Sequence, residues 1–192
     1  NTLKGTRGNI SKYNLIDGYK NTADRVSNVS VIGSENNVTN TNGAVVFGDK
    51  RTLTGADGSV VIGSSQNGTS TSVKNAVAIG SEANVTKEGG VALGAGSVAS
   101  VDKGVAGYDP GTGTNSTDTS SVWKSTQAAV SVGDTSKGIT RQITGVAAGT
   151  NDTDAVNVAQ LRKAKTSIVA AASTEVRAGT NITSVNKTAD PG

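Results

Sequence analysis

A short apolar run closed by glycine recurs five times, and its spacing restricts the chain to one kind of architecture. The run reads Val29-Ser30-Val31-Ile32-Gly33, Ala44-Val45-Val46-Phe47-Gly48, Ser59-Val60-Val61-Ile62-Gly63, Ala76-Val77-Ala78-Ile79-Gly80 and Gly90-Val91-Ala92-Leu93-Gly94. Its closing glycines stand 15, 15, 17 and 14 residues apart. That period is too short for a helical hairpin. It fits one coil of a β-solenoid, in which two short strands and two turns return the chain one strand spacing (~4.8 Å) along the axis.

The alternation inside each run assigns its residues to strand faces. Ile32, Phe47, Ile62, Ile79 and Leu93 share one face with Ser30, Val45, Val60, Val77 and Val91, and these two columns are expected to point into a core. The column between them, Val31, Val46, Val61, Ala78 and Ala92, faces the other way and is apolar too, so both faces of the strand are expected to be covered. Val38, Leu53, Val85 and Val98 or Ala99 supply the return side in four of the five coils.

Only 34% of the 192 residues are hydrophobic, and aromatics make up 3%. A single chain of this kind recovers too little apolar burial to offset an ordering cost of about 1.5 kcal/mol per residue. Disordered chains share the low hydrophobicity, but they do not keep valine and isoleucine in fixed columns. Obligate oligomerisation reconciles the two, because several chains then pool thin apolar faces into one core. The formal charge of +3 is spread over scattered Lys and Arg without aromatic interleaving, a solvated face rather than a nucleic-acid surface. No signal peptide, membrane span or barrel strand set is evident, so any anchor is expected outside these residues.

Residues 1–28 form an N-terminal segment read as either a degenerate first coil or a cap over the open strand edge. The stretch 29–138 holds the repeats. In the third coil, Ser64 to Asn75 has Val73 as its only apolar residue and the spacing grows by two, so a bulging contact loop is expected there. An insertion at about 101–125, rich in Gly and carrying Pro110, interrupts one coil; Trp123 is expected to pin it. Ala128-Ala129-Val130-Ser131-Val132-Gly133 then resumes the repeat. Ile139 to Val146 reads as a final strand, and Asn151-Asp152-Thr153-Asp154 as a helix start. Val158, Leu161, Ala164 or Lys165, Ile168 and Ala171 or Ala172 form a narrow coiled-coil stripe, and 178–192 returns to turn and strand chemistry as the start of a following β module or a disordered end.

The runs Gly58-Ser59-Val60-Val61-Ile62-Gly63 and Asn75-Ala76-Val77-Ala78-Ile79-Gly80-Ser81, followed by Arg141-Gln142-Ile143-Thr144-Gly145-Val146-Ala147 and Asp154-Ala155-Val156-Asn157-Val158-Ala159-Gln160-Leu161, resemble the head and neck of trimeric autotransporter adhesins, the YadA-like family. The resemblance covers roughly residues 29–177. It implies a mainly β fold, a left-handed parallel β-roll (β-solenoid) homotrimer, with a neck over 139–160 and a short trimeric coiled-coil helix over 161–177. It further implies display on the surface of a Gram-negative bacterium, anchored in the outer membrane by a barrel outside these residues. The implied partners are host-cell proteins such as immunoglobulin-like adhesion receptors, extracellular matrix, or other bacteria. In such a trimer the core would be built from Ile32, Phe47, Ile62, Ile79, Leu93, Val158, Leu161 and Ile168.

Catalytic chemistry is not expected. The absence of His and Cys removes the commonest general base, the thiol nucleophile and most zinc ligands, and no nucleophile elbow occurs. Gly94-Ala95-Gly96-Ser97-Val98-Ala99 imitates a dinucleotide fingerprint but lacks the crossover helix that motif requires. Glu35, Asp49, Glu82 and Glu88 do not share a column, as a polysaccharide-processing site would need. No cofactor or metal is expected. The candidate contact residues are Lys50 and Arg51 in one turn, Ser65, Gln66, Asn67 and Lys74 in the widened coil, and Tyr108 and Asp109 in the insertion. A spacer that raises another binding module from the membrane is the alternative function.

Overall fold

Alternating Val and Ile make each run a short strand, and the fixed period stacks the strands in register. In the computed structural model, which describes residues 1–172 and 180, seven strands form one parallel sheet: Leu15–Tyr19, Ser30–Ser34, Val45–Phe47, Val60–Ile62, Val77–Ile79, Val91–Leu93 and Val130–Ser131. The return path, Thr2–Lys4, Thr22–Asp24, Asn37–Thr39, Arg51–Thr54 and Thr69–Thr71, makes a second parallel sheet, followed by the parallel pair Asn84–Val85 and Val98–Ala99. The chain is therefore mainly β, a parallel β-solenoid followed by one helix, Val158–Ala172. It divides into two compact units, Asn1–Gln142 and Ile143–Gly192.

The register matches the repeat: Ile32, Phe47, Ile62, Ile79 and Leu93 stand opposite one another in successive strands. The inward face is the reverse of the one expected. Val31, Val46, Val61, Ala78 and Ala92 are at most 1% exposed, whereas Ile32, Phe47, Ile62, Ile79 and Leu93 are 36–40% exposed. A coil of about 15 residues encloses a narrow interior, which valine and alanine fill together with Ala23, Val38, Leu53, Val85 and Ala99 from the return side. The larger side chains are turned out onto a second apolar face. Where the third coil lacks a return-side hydrophobe, Thr71 is buried instead and bonds through its hydroxyl to Asn84 Oδ1 at 3.1 Å.

The N-terminal segment is coil rather than cap. Leu15–Tyr19 pairs with Ser30–Ser34 over five residues, and Thr2–Lys4 pairs with Thr22–Asp24. Asp17 occupies the position held by Ile32 in the next strand, which disguised the repeat. The closing glycines are required by how tightly the coils stack: Gly33 has φ +140°, and a Cβ there would lie 1.9 Å from the Gly48 carbonyl oxygen.

A polar ladder runs beside the core. Asn36 Nδ2 donates to Asn21 Oδ1 (3.0 Å) and to the Gly48 carbonyl (2.7 Å), and Asn21 Nδ2 donates to the Gly33 carbonyl (2.7 Å). The next rung is Arg51, whose backbone N–H donates to Asn36 Oδ1 (2.9 Å).

At the insertion, the Ala129 N–H donates to the Val101 carbonyl at 3.0 Å, so the chain leaves and rejoins the coil at one place, and Val130–Ser131 pairs with Val91–Ala92. The excursion contains a small antiparallel ladder, Tyr108–Asp109 with Thr114–Asn115. The main chain of Trp123 closes its base, accepting from the Gly107 N–H at 2.7 Å, while the side chain is half-buried.

Two expectations beyond the coils fail. Ile139 to Val146 is not a strand; Ile139 makes only an isolated bridge to Asp134. Arg141 turns back instead, with Nη1 donating to Ser97 Oγ (3.0 Å) and Nη2 to the Ala95 carbonyl (2.6 Å), and its guanidinium covers the last closing glycine, Gly94. The helix does not start at Asn151–Asp154. Asn157 caps it: Asn157 Oδ1 accepts from the Gln160 N–H (3.0 Å) and Gln160 Oε1 from the Asn157 N–H (3.2 Å), a capping box. Gln160 also donates to the Gly149 carbonyl (3.0 Å) and accepts from its N–H (3.1 Å). Asp154 closes a turn of its own, its carboxylate held below the usual range by the N–H groups of Asn151 and Thr150. The β module expected from Ala178 lies outside the described residues.

Candidate assembly and contact surfaces

The outer face of the seven-stranded sheet carries two parallel rows. One is Ile32, Phe47, Ile62, Ile79 and Leu93; the other is Leu15, Ser30, Val45, Val60, Val77, Val91 and Val130. Side chains this large, in register over successive strands, form a continuous apolar face that a lone chain leaves in water. In the second unit, Val158, Leu161 and Ile168 of the helix are 64–68% exposed. At the C-terminal end of the coils, Val98, Val101, Val130, Val132, Ile139 and Arg141 line an open cleft of about 570 Å³.

The widened coil is organised by one carboxylate. Glu82 accepts from Ser65 Oγ (2.9 Å), the Gln66 N–H (2.5 Å) and Thr69 Oγ1 (2.6 Å). These donors, Thr69 first and the Gln66 N–H next, hold its pKa down to about 2. Gln66 and Asn67 are left exposed at the tip, with Lys50 Nζ donating to the Gln66 carbonyl at 3.3 Å.

Arg51 and Ser65 are not exposed contacts, as the turn reading expected. Arg51 is 1% exposed; its Nε donates to the Gly63 carbonyl (2.6 Å), Nη1 to Ala83 (2.8 Å) and Nη2 to Gly80 (2.9 Å). Its guanidinium ties three coils together under the loop. Burial lowers its pKa and the charge of Glu82 opposes that shift. Ser65 is 4% exposed because its hydroxyl turns in to Glu82. Lys50, Gln66, Asn67, Lys74 and Tyr108 are exposed, and Asp109 is half-buried. Lys74 pairs with Asp57 at 3.1 Å. Lys50, Gln66 and Asn67 share one patch around the widened coil.

A family model described as the coiled stalk of trimeric autotransporter adhesin matches residues 142–190. The autotransporter adhesin BadA of Bartonella henselae is 65% identical over 72 residues, 38% of this chain. Over these segments the chain is similar to trimeric autotransporter adhesins. A second relative, the trimeric autotransporter adhesin AtaA of Acinetobacter sp. strain Tol 5, is 49% identical over 83 residues, 42% of this chain. Either match amounts to 2% of the relative's length. A solved C-terminal YadA-like domain from Burkholderia pseudomallei is 34% identical, covers 53% of this chain and 46% of its own, and gives a TM-score of 0.39.

Sequence reasoning missed Glu82, Arg141 and Gln160 as organisers. Each acts through side-chain bonds to groups well separated from it along the chain. For Arg51 a signal was present: it stands 15 residues after Asn36, which stands 15 after Asn21. No helix among the described residues is long and apolar enough to cross a membrane.

Proposed function

We propose that these residues form an attachment segment of a bacterial surface adhesin, working as a homotrimer anchored in the outer membrane through parts of the protein outside this chain. The observation that carries the reading is the in-register apolar row from Ile32 to Leu93. Five side chains of this size buried between copies are worth roughly 1 kcal/mol each, enough to favour assembly of a chain whose own core is thin. Three copies then present three sets of Lys50, Gln66, Asn67 and the Tyr108–Asp109 hairpin. Multivalency lets weak contacts hold a cell, with gains of about 10²-fold or more over one contact. The partner classes are host-cell receptors of the immunoglobulin-like type, extracellular matrix and other bacterial cells.

The test is binding of the purified protein to matrix proteins, receptor ectodomains and bacteria, alongside Phe47→Asp. Saturable binding by the wild type, with mass loss to a single copy and weaker binding in the variant, is the expected result. A wild-type protein that stays single-copy and folded at micromolar concentration overturns the reading. The stalk-family match over 142–190 favours a second role, a spacer raising another module; it is the reading left standing if the trimer forms and binds nothing.

A further inference from the structure

Two Asn-Gly dipeptides occur in the chain, Asn42-Gly43 and Asn67-Gly68, and the fold treats them oppositely. Both asparagines are exposed. Asn42 is stapled into the solenoid: its N–H donates to Asp57 Oδ1 at 2.9 Å, its side chain also bonds Asp57, and the following Gly43 N–H donates to the Ser27 carbonyl at 2.9 Å. At Asn67-Gly68 no hydrogen bond among the described residues engages either the Gly68 N–H or the Asn67 side chain. Glu82 instead grips the residues around it, Ser65, Gln66 and Thr69. Gly68 has φ +83°, and only the Lys50 carbonyl, 3.9 Å away, approaches the position of a Cβ there.

We propose that Asn67-Gly68 is a self-modifying site, at which the asparagine is converted to aspartate and isoaspartate without an enzyme. The Gly68 amide nitrogen gives up its proton to solvent hydroxide and attacks Asn67 Cγ. The new N–C bond closes a five-membered succinimide as the Cγ–Nδ2 bond breaks and ammonia leaves. Water then adds to one of the two ring carbonyls, yielding aspartate by one opening and isoaspartate by the other. One water is consumed and one ammonia released, with no change of oxidation state. Glycine is the residue after asparagine that least hinders this approach, since no side chain shields its nitrogen. At Asn42 the same attack first requires breaking the bond from Gly43 to Ser27.

The product places a carboxylate at the loop tip next to Gln66, whose main chain bonds both Lys50 and Glu82, and the isoaspartate form lengthens the backbone by one carbon. That this alters attachment rests on the adhesion reading; the conversion itself does not. Folded protein held at mildly alkaline pH, then digested and mapped by mass spectrometry, tests the conversion directly. Asn67 is expected to convert about tenfold faster than Asn42, the factor imposed by one hydrogen bond of ordinary strength that must first open. The rate should rise with pH, with isoaspartate detected by its enzymatic methylation, and Asn67→Gln should abolish it in that peptide. Equal rates at the two sites, or an Asn67 that stays amidated in folded protein while the same peptide converts when unfolded, overturns the proposal. The attachment assay with Asn67→Asp is separate, so loss of the adhesion reading leaves the mass result interpretable.

Discussion

Arg51→Ala is the substitution that separates a structural clip from a contact residue. The wild-type guanidinium satisfies the carbonyls of Gly63, Ala83 and Gly80 from a position 1% exposed. Truncation leaves the carbonyls of Gly63 and Ala83 unmet at a buried site, while that of Gly80 keeps the Ala83 N–H at 3.2 Å; at roughly 1–2 kcal/mol for each unmet group the loss is about 2–4 kcal/mol. Water entering the void lowers the cost toward the smaller figure. Arg51→Asn is expected to fall between, because an amide at this rung regains the bond to Gly63 that Asn36 makes to Gly48, but not the two farther ones. Urea unfolding at fixed protein concentration reads both values, provided the m-value is unchanged. Were Arg51→Ala to unfold within about 1 kcal/mol of wild type while losing partner binding, the clip would be refuted and an exposed contact role restored.

Three other outcomes follow from the same structure. Gly33→Ala must push its Cβ against the Gly48 carbonyl at φ +140°, and a loss of about 2–4 kcal/mol is expected in thermal unfolding. Glu82 ordinarily titrates near 4.5 and is held to about 2 in the fold, so its anchoring of the loop is complete above pH 4.5 and lost as pH falls through about 2; hydrogen exchange at residues 65–69 should accelerate over that window, and Glu82→Gln should remove the dependence. Gln160→Ala breaks the capping box and both bonds to Gly149 and should cost the helix about 1–2 kcal/mol, whereas Asp154→Ala should leave helical circular dichroism unchanged; the reverse order would return the helix start to residues 151–154.

The period, the strands and the return-side core were legible because closing glycines and valine columns are fixed by local geometry. The inward face was not, since alternation separates two faces without saying which is enclosed, and here both are apolar. Side-chain volume was the overlooked signal: along this strand the enclosed column is Val or Ala, and the larger Ile, Phe and Leu stand in the column turned out. The helix start was misplaced because the capping and acidic side chains at 151–154 resemble a first turn, whereas the cap the fold uses, the Asn157-x-x-Gln160 pair, lies further on. Of the contact candidates, Gln66, Asn67 and Lys50 emerge together at the surface, while Arg51 and Ser65 turn inward, because a turn position in a solenoid can face either solvent or the next coil.

The closure between Val101 and Ala129 means the sheet never registers what lies between them. Excursions of different length and chemistry are interchangeable at that port without re-solving the scaffold, so the displayed surface can change while the frame stays the same. A foreign peptide grafted there would ride on the same fold.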